Sequence, residues 1–414
     1  MTVAEPTGRG RSGVFSSLRH RNYLLLWTGT LISHTGDWLD QIALNWLVLE
    51  QTGSAFYLGM VNLCRGMPIL LFTLIGGAVA DRMERRRLMM LTQGTAMGLA
   101  VLLAVMVLSG NAPLWGILVI ATMRGSVIAF NLPARHSLIP MLVPREDLPN
   151  AVALNSMTMN VTKVLGPVLS GLIIAAFGTG ACFALNAVSF VAVLWTLAMM
   201  RFPPASAEVT APKEALVTSI FSGLRFVRSN RVILLLVLVS LIPTFFAQPY
   251  IQLLAIFAYD VFQTGPVGLG ILTASAAFGS VFGALVMAGS GASMQRGSVM
   301  LALLIGCGVS LAGFAANPSA TAAPFILFFV GALFMAYNAT HATLLQLVVP
   351  DIYRGRVLST LFLNRGIVSL GTAGSATIAS VLGARAAYGL MATGVILFGL
   401  ALLTLTPVIR RLRP

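Results

Sequence analysis

Long apolar runs follow one another along this chain, and each is long enough to cross a lipid bilayer as a helix. The hydrocarbon core of a bilayer is about 30 Å thick, which a helix of about 20 apolar residues spans. Only 9% of the 414 residues are charged, against about 25% in a typical soluble chain. A water-soluble fold of this composition would lack a polar surface, so lipid must surround most of the chain. We therefore predict an all-α integral membrane protein of about twelve transmembrane helices.

The apolar runs fall into two groups of six, and a polar stretch separates the groups. The predicted spans of the first group are 23–49, 56–80, 88–109, 113–133, 149–178 and 181–200. Those of the second group are 232–257, 266–289, 298–316, 323–347, 357–382 and 387–407. This pattern predicts an N-terminal tail at 1–22, a six-helix bundle at 23–200, a cytoplasmic linker with an amphipathic helix at 201–230, a second bundle at 231–409 and a C-terminal tail at 410–414.

Lys and Arg concentrate in the tails and in alternate loops. Most of the 26 basic residues lie on one side of the predicted membrane, whereas the loops on the other side carry Arg385. By the positive-inside rule, this bias predicts that both termini are cytoplasmic. The net charge of +14 follows from this topology, so we do not interpret it as a nucleic-acid-binding surface.

The two halves carry traces of a repeat. Gly77-Ala78 recurs as Gly283-Ala284, and Val143-Pro144 recurs as Val349-Pro350, at the same spacing of about half the chain. Two related six-helix halves predict pseudo-symmetric bundles with a cleft between them, which is the arrangement used for alternating access.

The loop after the second predicted span carries the most specific motif of the chain. Its residues are Gly77, Asp81, Arg82, Arg85 and Arg86. The loop resembles the signature loop of the major facilitator superfamily, although Glu84 stands where that signature usually has glycine. The resemblance implies a gate in which Asp81 meets the eleventh helix near Val357. The alternative is a basic loop that only sets topology.

Further motifs resemble one branch of that superfamily. The segments 131–135, 142–148 and 150–155 are similar to the loop between helices 4 and 5 of the drug–proton antiporters. That branch contains enterobactin-type siderophore exporters and macrolide efflux pumps. In the fifth span, Gly166, Pro167 and Gly171 resemble the helix 5 motif of antiporters, with Ser170 replacing one glycine.

The resemblance implies a function. We expect a secondary transporter of the bacterial inner membrane that exports a hydrophobic drug-like compound or a siderophore in exchange for protons, acting as a monomer. Two alternatives remain: an importer or lysolipid flippase of the same fold, and a non-transporting membrane sensor or scaffold. The sequence contains no P-loop and no metal-ligand cluster, so we expect neither an enzyme nor a metal or cofactor.

Charged residues inside the predicted spans are the candidates for proton coupling, since burying a charge in a bilayer is costly. Asp37 and Asp40 lie three residues apart on nearly one face of the first helix. From the helical rise, Asp40, Arg65 and Arg124 share a layer near the middle of the membrane. Carboxylates beside arginines suit proton binding and release. The alternative is a static ion pair that holds the helices together.

The sequence also offers candidate residues for a substrate cavity. Lys163 lies in a predicted span, where it could meet an anionic substrate or extend to the membrane surface. Polar and aromatic residues of the seventh and tenth spans are candidates for the far wall of the cavity: Phe245, Gln248, Tyr250, Tyr337 and Asn338. For each of them, ordinary helix packing is the alternative.

Overall fold

The computed structural model describes residues 15–200, 225, 228, 230–290, 296–349 and 363–410, and this part of the chain is helical, without strands. A short 3₁₀ helix, Ser16–Arg19, precedes the first long helix. The first half contains α1 (Arg21–Thr52), α2 (Ala55–Arg82), α3 (Arg85–Leu108), α4 (Leu114–Leu142), α5 (Leu148–Phe177) and α6 (Thr179–Met199). The second half contains α7 (Arg231–Phe246, then Tyr250–Ile256 and a π-helical turn, Phe257–Val261), α8 (Gly265–Gly289), α9 (Gly297–Ala316), α10 (Ala323–Val348), α11 (Leu363–Leu382) and α12 (Ala384–Leu405), followed by a single turn, Pro407–Arg410.

The predicted fold class is confirmed. Within the described ranges, ten helices are long and apolar enough to cross a membrane. Helix α1 has sufficient length but carries several charged residues, and α11 contributes a shorter apolar stretch, Gly366–Leu382. Together they complete two bundles of six helices. The predicted linker helix, most of both tails and the predicted start of the eleventh span lie outside the described residues.

Helix α4 corrects one predicted boundary. We expected the span to end at residue 133, but the helix continues to Leu142 through both Pro133 and Pro140. Proline is tolerated in transmembrane helices because neighbouring elements compensate for the lost hydrogen bond. Here Gly76 of α2 lies directly against the carbonyl of Ala129, four residues before Pro133. The absence of a side chain at Gly76 permits this approach.

Helix α7 corrects another predicted boundary. We expected a continuous span from 232 to 257, whereas a turn at 247–249 interrupts the helix. The turn contains Pro249, whose ring cannot continue the hydrogen-bond ladder. The final π-helical turn widens the helix before it ends.

Among the described residues, the apolar cluster that the two bundles share lies at one end. We call the end where α1 begins and the α2–α3 loop lies the terminal face, and the end with the α1–α2 loop the hairpin face. At the hairpin face, one apolar cluster joins residues of both halves, including Trp46, Leu49, Phe257 and Tyr388. Towards the terminal face, the described clusters are separate, one in the first half and two in the second. The bundles are therefore closed together at the hairpin face.

Two pairs of helices form most of the contacts between the bundles, and smaller contacts join α1 and α2 to α7. Helix α2 packs against α11, and α5 packs against α8. In the first pair, Gly59 abuts the backbone of Ala373. In the second pair, Gly171 abuts the carbonyl of Pro266, and Gly270 abuts that of Pro167. Small residues at these crossings bring the backbones into close contact.

At the terminal face, the short 3₁₀ helix is fastened to the start of α5 by what we call the clasp. The hydroxyl of Ser16 donates to Asp147 Oδ1 at 2.7 Å, and His20 Nε2 lies 2.7 Å from Asp147 Oδ2. The hydroxyl of Ser17 donates to Asn150 Oδ1 at 2.8 Å. These hydrogen bonds, first that of His20 and then that of Ser16, stabilise the carboxylate and lower the pKa of Asp147.

The clasp generates a prediction about pH. Folding lowers the pKa of the Asp147 carboxyl. The clasp therefore stabilises the fold fully above the ordinary carboxyl pKa of about 3.9, and this stabilisation is lost as the pH falls through the lower pKa of the folded protein. We expect Asp147→Asn to lower the Tm of the purified protein at neutral pH. The difference from the parent protein should disappear in strong acid, as measured by thermal unfolding in detergent across a pH series.

The matched control is Glu146→Gln, which removes the adjacent, exposed carboxylate. Its Tm should equal that of the parent protein. An equal loss of Tm in both variants would show that the clasp contributes nothing specific.

Candidate functional site

Asp40 is the centre of a buried ion cluster. Its side chain is 0% exposed, and both of its oxygens accept from arginines of other helices. Arg65 of α2 donates to Oδ2 at 2.9 Å, and Arg124 of α4 donates to Oδ1. The structure therefore brings together the three residues that helical rise placed in one layer, and Asp40 connects α1, α2 and α4.

A glycine makes this arrangement possible. Gly125 follows Arg124 and lies directly against the backbone carbonyl of Arg65, where even a methyl side chain would overlap that carbonyl. Helices α2 and α4 can therefore approach closely enough for both arginines to reach the same carboxylate. The guanidinium of Arg124 also lies 5.8 Å from the ring centroid of Phe190, which is a cation–π contact.

Asp37 lies one turn of α1 from Asp40, and its environment differs. Its side chain is 39% exposed, and its Oδ1 is 3.4 Å from Arg124 Nη2, which is a long contact for an ion pair. Its Oδ2 is 3.8 Å from His34 Nδ1. Asp40 is thus buried and fully paired, whereas Asp37 is partly solvated and loosely held.

Asp37 opens onto a cavity inside the first bundle. All six helices α1–α6 contribute to the walls of this cavity. Its volume is about 170 Å³. The polar and charged lining residues are Thr30, Ser33, His34, Asp37, Arg65, Gln93, Arg124, Asn131, Arg135, His136 and Asn155.

Arg135 is a cavity residue that sequence reasoning missed. We assigned it to a loop, because the span was predicted to end at Pro133. Its guanidinium lies inside the bundle, where it contacts His34 Nε2 and donates to Asn155 Oδ1 at 3.0 Å. After two polar residues the sequence is apolar again from Leu138 to Leu142, and this was the available signal that the helix extended further.

Some residues of the two sequence motifs have partners among the described residues, whereas Gly77 faces open space. Arg86 donates to the carbonyls of Leu197 and Ala198 at the end of α6, at 2.8 Å each, and so caps that helix. Arg85 contacts the sulfur of Met141, while Arg82 is exposed. The side chain of Asp81 and its expected partner near Val357 lie outside what the structure describes. In the helix 5 motif, Gly166 packs on Trp38 of α1 within the first bundle, whereas Pro167 and Gly171 lie against α8 of the second bundle.

The predicted far wall lies elsewhere in the structure. None of the six candidates lines this cavity: Lys163, Phe245, Gln248, Tyr250, Tyr337 and Asn338. Tyr250 and Tyr337 are each 1% exposed and pack in apolar clusters. The Tyr337 hydroxyl donates to the Val239 carbonyl, so neither tyrosine side chain is available to a substrate in this state. Ordinary packing, the alternative that we weighed, describes both residues.

Comparison with known proteins identifies the family. The model of the transmembrane secretion effector family matches residues 12–411. The chain belongs to this family. It is thus a transporter of the major facilitator superfamily and not an enzyme.

Characterised relatives include siderophore and macrolide transporters. The staphyloferrin A transporter of Staphylococcus aureus is 29% identical over 361 residues, covering 86% of this chain and 89% of the relative. Macrolide efflux protein A of Streptococcus pyogenes is 24% identical over 353 residues, with 84% and 86% covered. The enterobactin exporter EntS of Salmonella choleraesuis is 26% identical over 368 residues, with 87% and 86% covered.

Solved structures share the fold. The nucleoside transporter NupG gives a TM-score of 0.75 at 12% identity, covering 93% of this chain and 99% of that structure. A bacterial homologue of the lysosomal transporter Spinster, in an inward-facing and unoccupied conformation, gives 0.72 at 17% identity, with 95% and 99% covered. At such identities the likeness concerns the fold alone.

The ion cluster generates a prediction about stability. Asp40→Asn leaves Arg65 and Arg124 without their shared carboxylate, and orphaning a buried partner costs about 3–5 kcal/mol. We expect poor expression and a markedly lower Tm. The control is Glu50→Gln, the same type of change at an exposed position of the same helix, which should express like the parent protein. Parental expression and Tm in Asp40→Asn would show that the cluster is not needed for stability.

Proposed function

We propose that this protein exports a hydrophobic drug-like compound or a siderophore in exchange for protons, by alternating access across the bacterial inner membrane. The observation that carries the proposal is the pairing of two unlike carboxylates on α1. Asp40 is locked between two arginines, whereas Asp37 is loosely held and faces the cavity. The names of the relatives support the substrate class and the outward direction for EntS and the macrolide efflux protein.

Asp37 has the properties of a proton carrier. It is within reach of water in the cavity, and its contact with Arg124 is long. A proton taken from water would neutralise the carboxylate and weaken its attraction for Arg124. Arg124 would keep its contact with Asp40, so the cluster would change its charge without coming apart. Asp40 then keeps the arginines in place, and Asp37 is the site that binds and releases the proton.

The asymmetry of the core supports alternating access. If the arginine-rich terminal face is cytoplasmic, as the positive-inside rule predicts, the bundles are joined on the outer side and have separate cores on the inner side. This is the arrangement expected of a state open to the cytoplasm. The close glycine contacts of α2 with α11 and of α5 with α8 provide smooth surfaces about which the bundles could rock.

Proton coupling is tested at Asp37. Asp37→Asn replaces the carboxylate with an amide of similar volume, so we expect the protein to fold and to carry substrate downhill but to lose proton-driven accumulation. The assay is substrate-induced pH change in proteoliposomes, with a macrolide and an iron-free siderophore as test substrates. Glu50→Gln should retain full coupling. Normal proton flux in Asp37→Asn would exclude this residue as the coupling site.

The same assay separates the alternatives. Substrate movement in the opposite direction in vesicles of known orientation would favour an importer or flippase. A complete lack of substrate-dependent flux in the parent protein would favour a sensor or scaffold.

The gate assigned to the α2–α3 loop is tested at Asp81. We expect Asp81→Asn to insert normally but to favour the state open at the terminal face, since a link between the bundles is weakened. The measurement is the accessibility of single cysteines placed at the terminal ends of α5 and α8. Unchanged accessibility together with normal transport would show that the loop only sets the membrane topology.

A further inference from the structure

We propose that the transported compound carries a carboxylate and that Arg135, with His34 and Asn155, forms the site that receives it. This inference rests on the proposed function and narrows its substrate class to an anionic, oxygen-rich compound of the siderophore type rather than a lipophilic cation. Three features support this inference: the charge balance of the cavity, the partners of Arg135 and the polar walls of the cavity.

The charge balance in and beside the cavity is positive. Three guanidinium groups, those of Arg65, Arg124 and Arg135, face two carboxylates. Asp40 is saturated by Arg65 and Arg124, and Asp37 contacts Arg124. The cluster around Asp40 is thus close to neutral, and the excess positive charge belongs to Arg135.

The partners of Arg135 are neutral. Asn155 offers an amide oxygen at 3.0 Å, and His34 contacts the guanidinium through Nε2. Because an arginine has no acceptor, this contact suits a neutral His34 whose Nε2 accepts. The other ring nitrogen, Nδ1, lies 3.8 Å from Oδ2 of Asp37. His34 therefore lies between Arg135 and the Asp37 carboxylate.

The walls around Arg135 suit a carboxylate. The neighbouring lining residues Asn131, His136 and Asn155 are polar, and Gln93 faces the same cavity from α3. The planar guanidinium binds carboxylates through two parallel hydrogen bonds, and amide and imidazole groups can donate to the remaining lone pairs. A lipophilic cation would meet an excess of like charge here, which discriminates against it.

The experiment measures binding to the full-length protein in lipid nanodiscs at neutral pH, with citrate as the probe and tetraphenylphosphonium as its cationic counterpart. We expect the parent protein to bind millimolar citrate more tightly than tetraphenylphosphonium. Arg135→Gln should weaken citrate binding about ten- to a hundred-fold, which is the range for losing a charged hydrogen-bonding partner. Arg145→Gln is the matched control at an exposed position and should bind citrate like the parent.

A second variant covers the case in which Arg135→Gln does not fold. Asn155→Asp places a carboxylate beside Arg135 with little change in volume, so the protein should stay folded while citrate binding is lost. Parental citrate affinity in either variant would overturn the proposal, as would a parent protein that binds tetraphenylphosphonium but not citrate.

Binding at equilibrium requires no transport, so the two proposals fail separately. Tight tetraphenylphosphonium binding with normal proton-coupled export would overturn the anion site and leave the transporter intact. Arg135-dependent citrate binding without any substrate-dependent flux would support the anion site and overturn the proposed transport function.

Discussion

A carboxylate shared by two arginines in the middle of a membrane protein constrains everything around it. In surroundings of low dielectric, Asp40 is tolerable only while Arg65 and Arg124 remain in contact with it. The cluster therefore ties the positions of α1, α2 and α4 to one another. In the proposed transport cycle these three helices would move together, and changes of charge would occur beside the cluster rather than within it.

Glycines allow the close approach of the helices that this cluster needs. Gly125 and Gly76 have no side chain where α2 crosses α4. At one of these crossings, Pro133 leaves the Ala129 carbonyl without its helical donor. The same device recurs between the bundles, where Gly171 and Gly270 contact backbone carbonyls. At the described glycine contacts between the bundles the facing atoms are uncharged, which suits the rocking motion of the proposed transport cycle.

Sequence reasoning was strongest where one physical rule applied. Hydrophobic length predicted the helices, and the rise per residue placed Asp40, Arg65 and Arg124 at one depth. It assigned Arg135 to a loop, whereas α4 continues to Leu142 because this bundle accommodates Pro133 and Pro140. For Tyr250 and Tyr337 it left packing and a cavity contact both open, because their burial depends on the rotation of each helix about its own axis. When lipid and core are both apolar, hydropathy contains little information on that rotation.

The uneven distribution of the core has a consequence for biosynthesis. The first bundle emerges from the ribosome before the second, with its half of the cluster at the hairpin face still unpartnered. In water such an apolar surface would aggregate, but in a bilayer lipid chains cover it at little cost until α7–α12 arrive. The ion cluster, which lipid could not stabilise, lies wholly within the first bundle and can assemble as soon as α4 has been inserted. The order of the helices along the chain thus lets the buried charges pair before the second half is made.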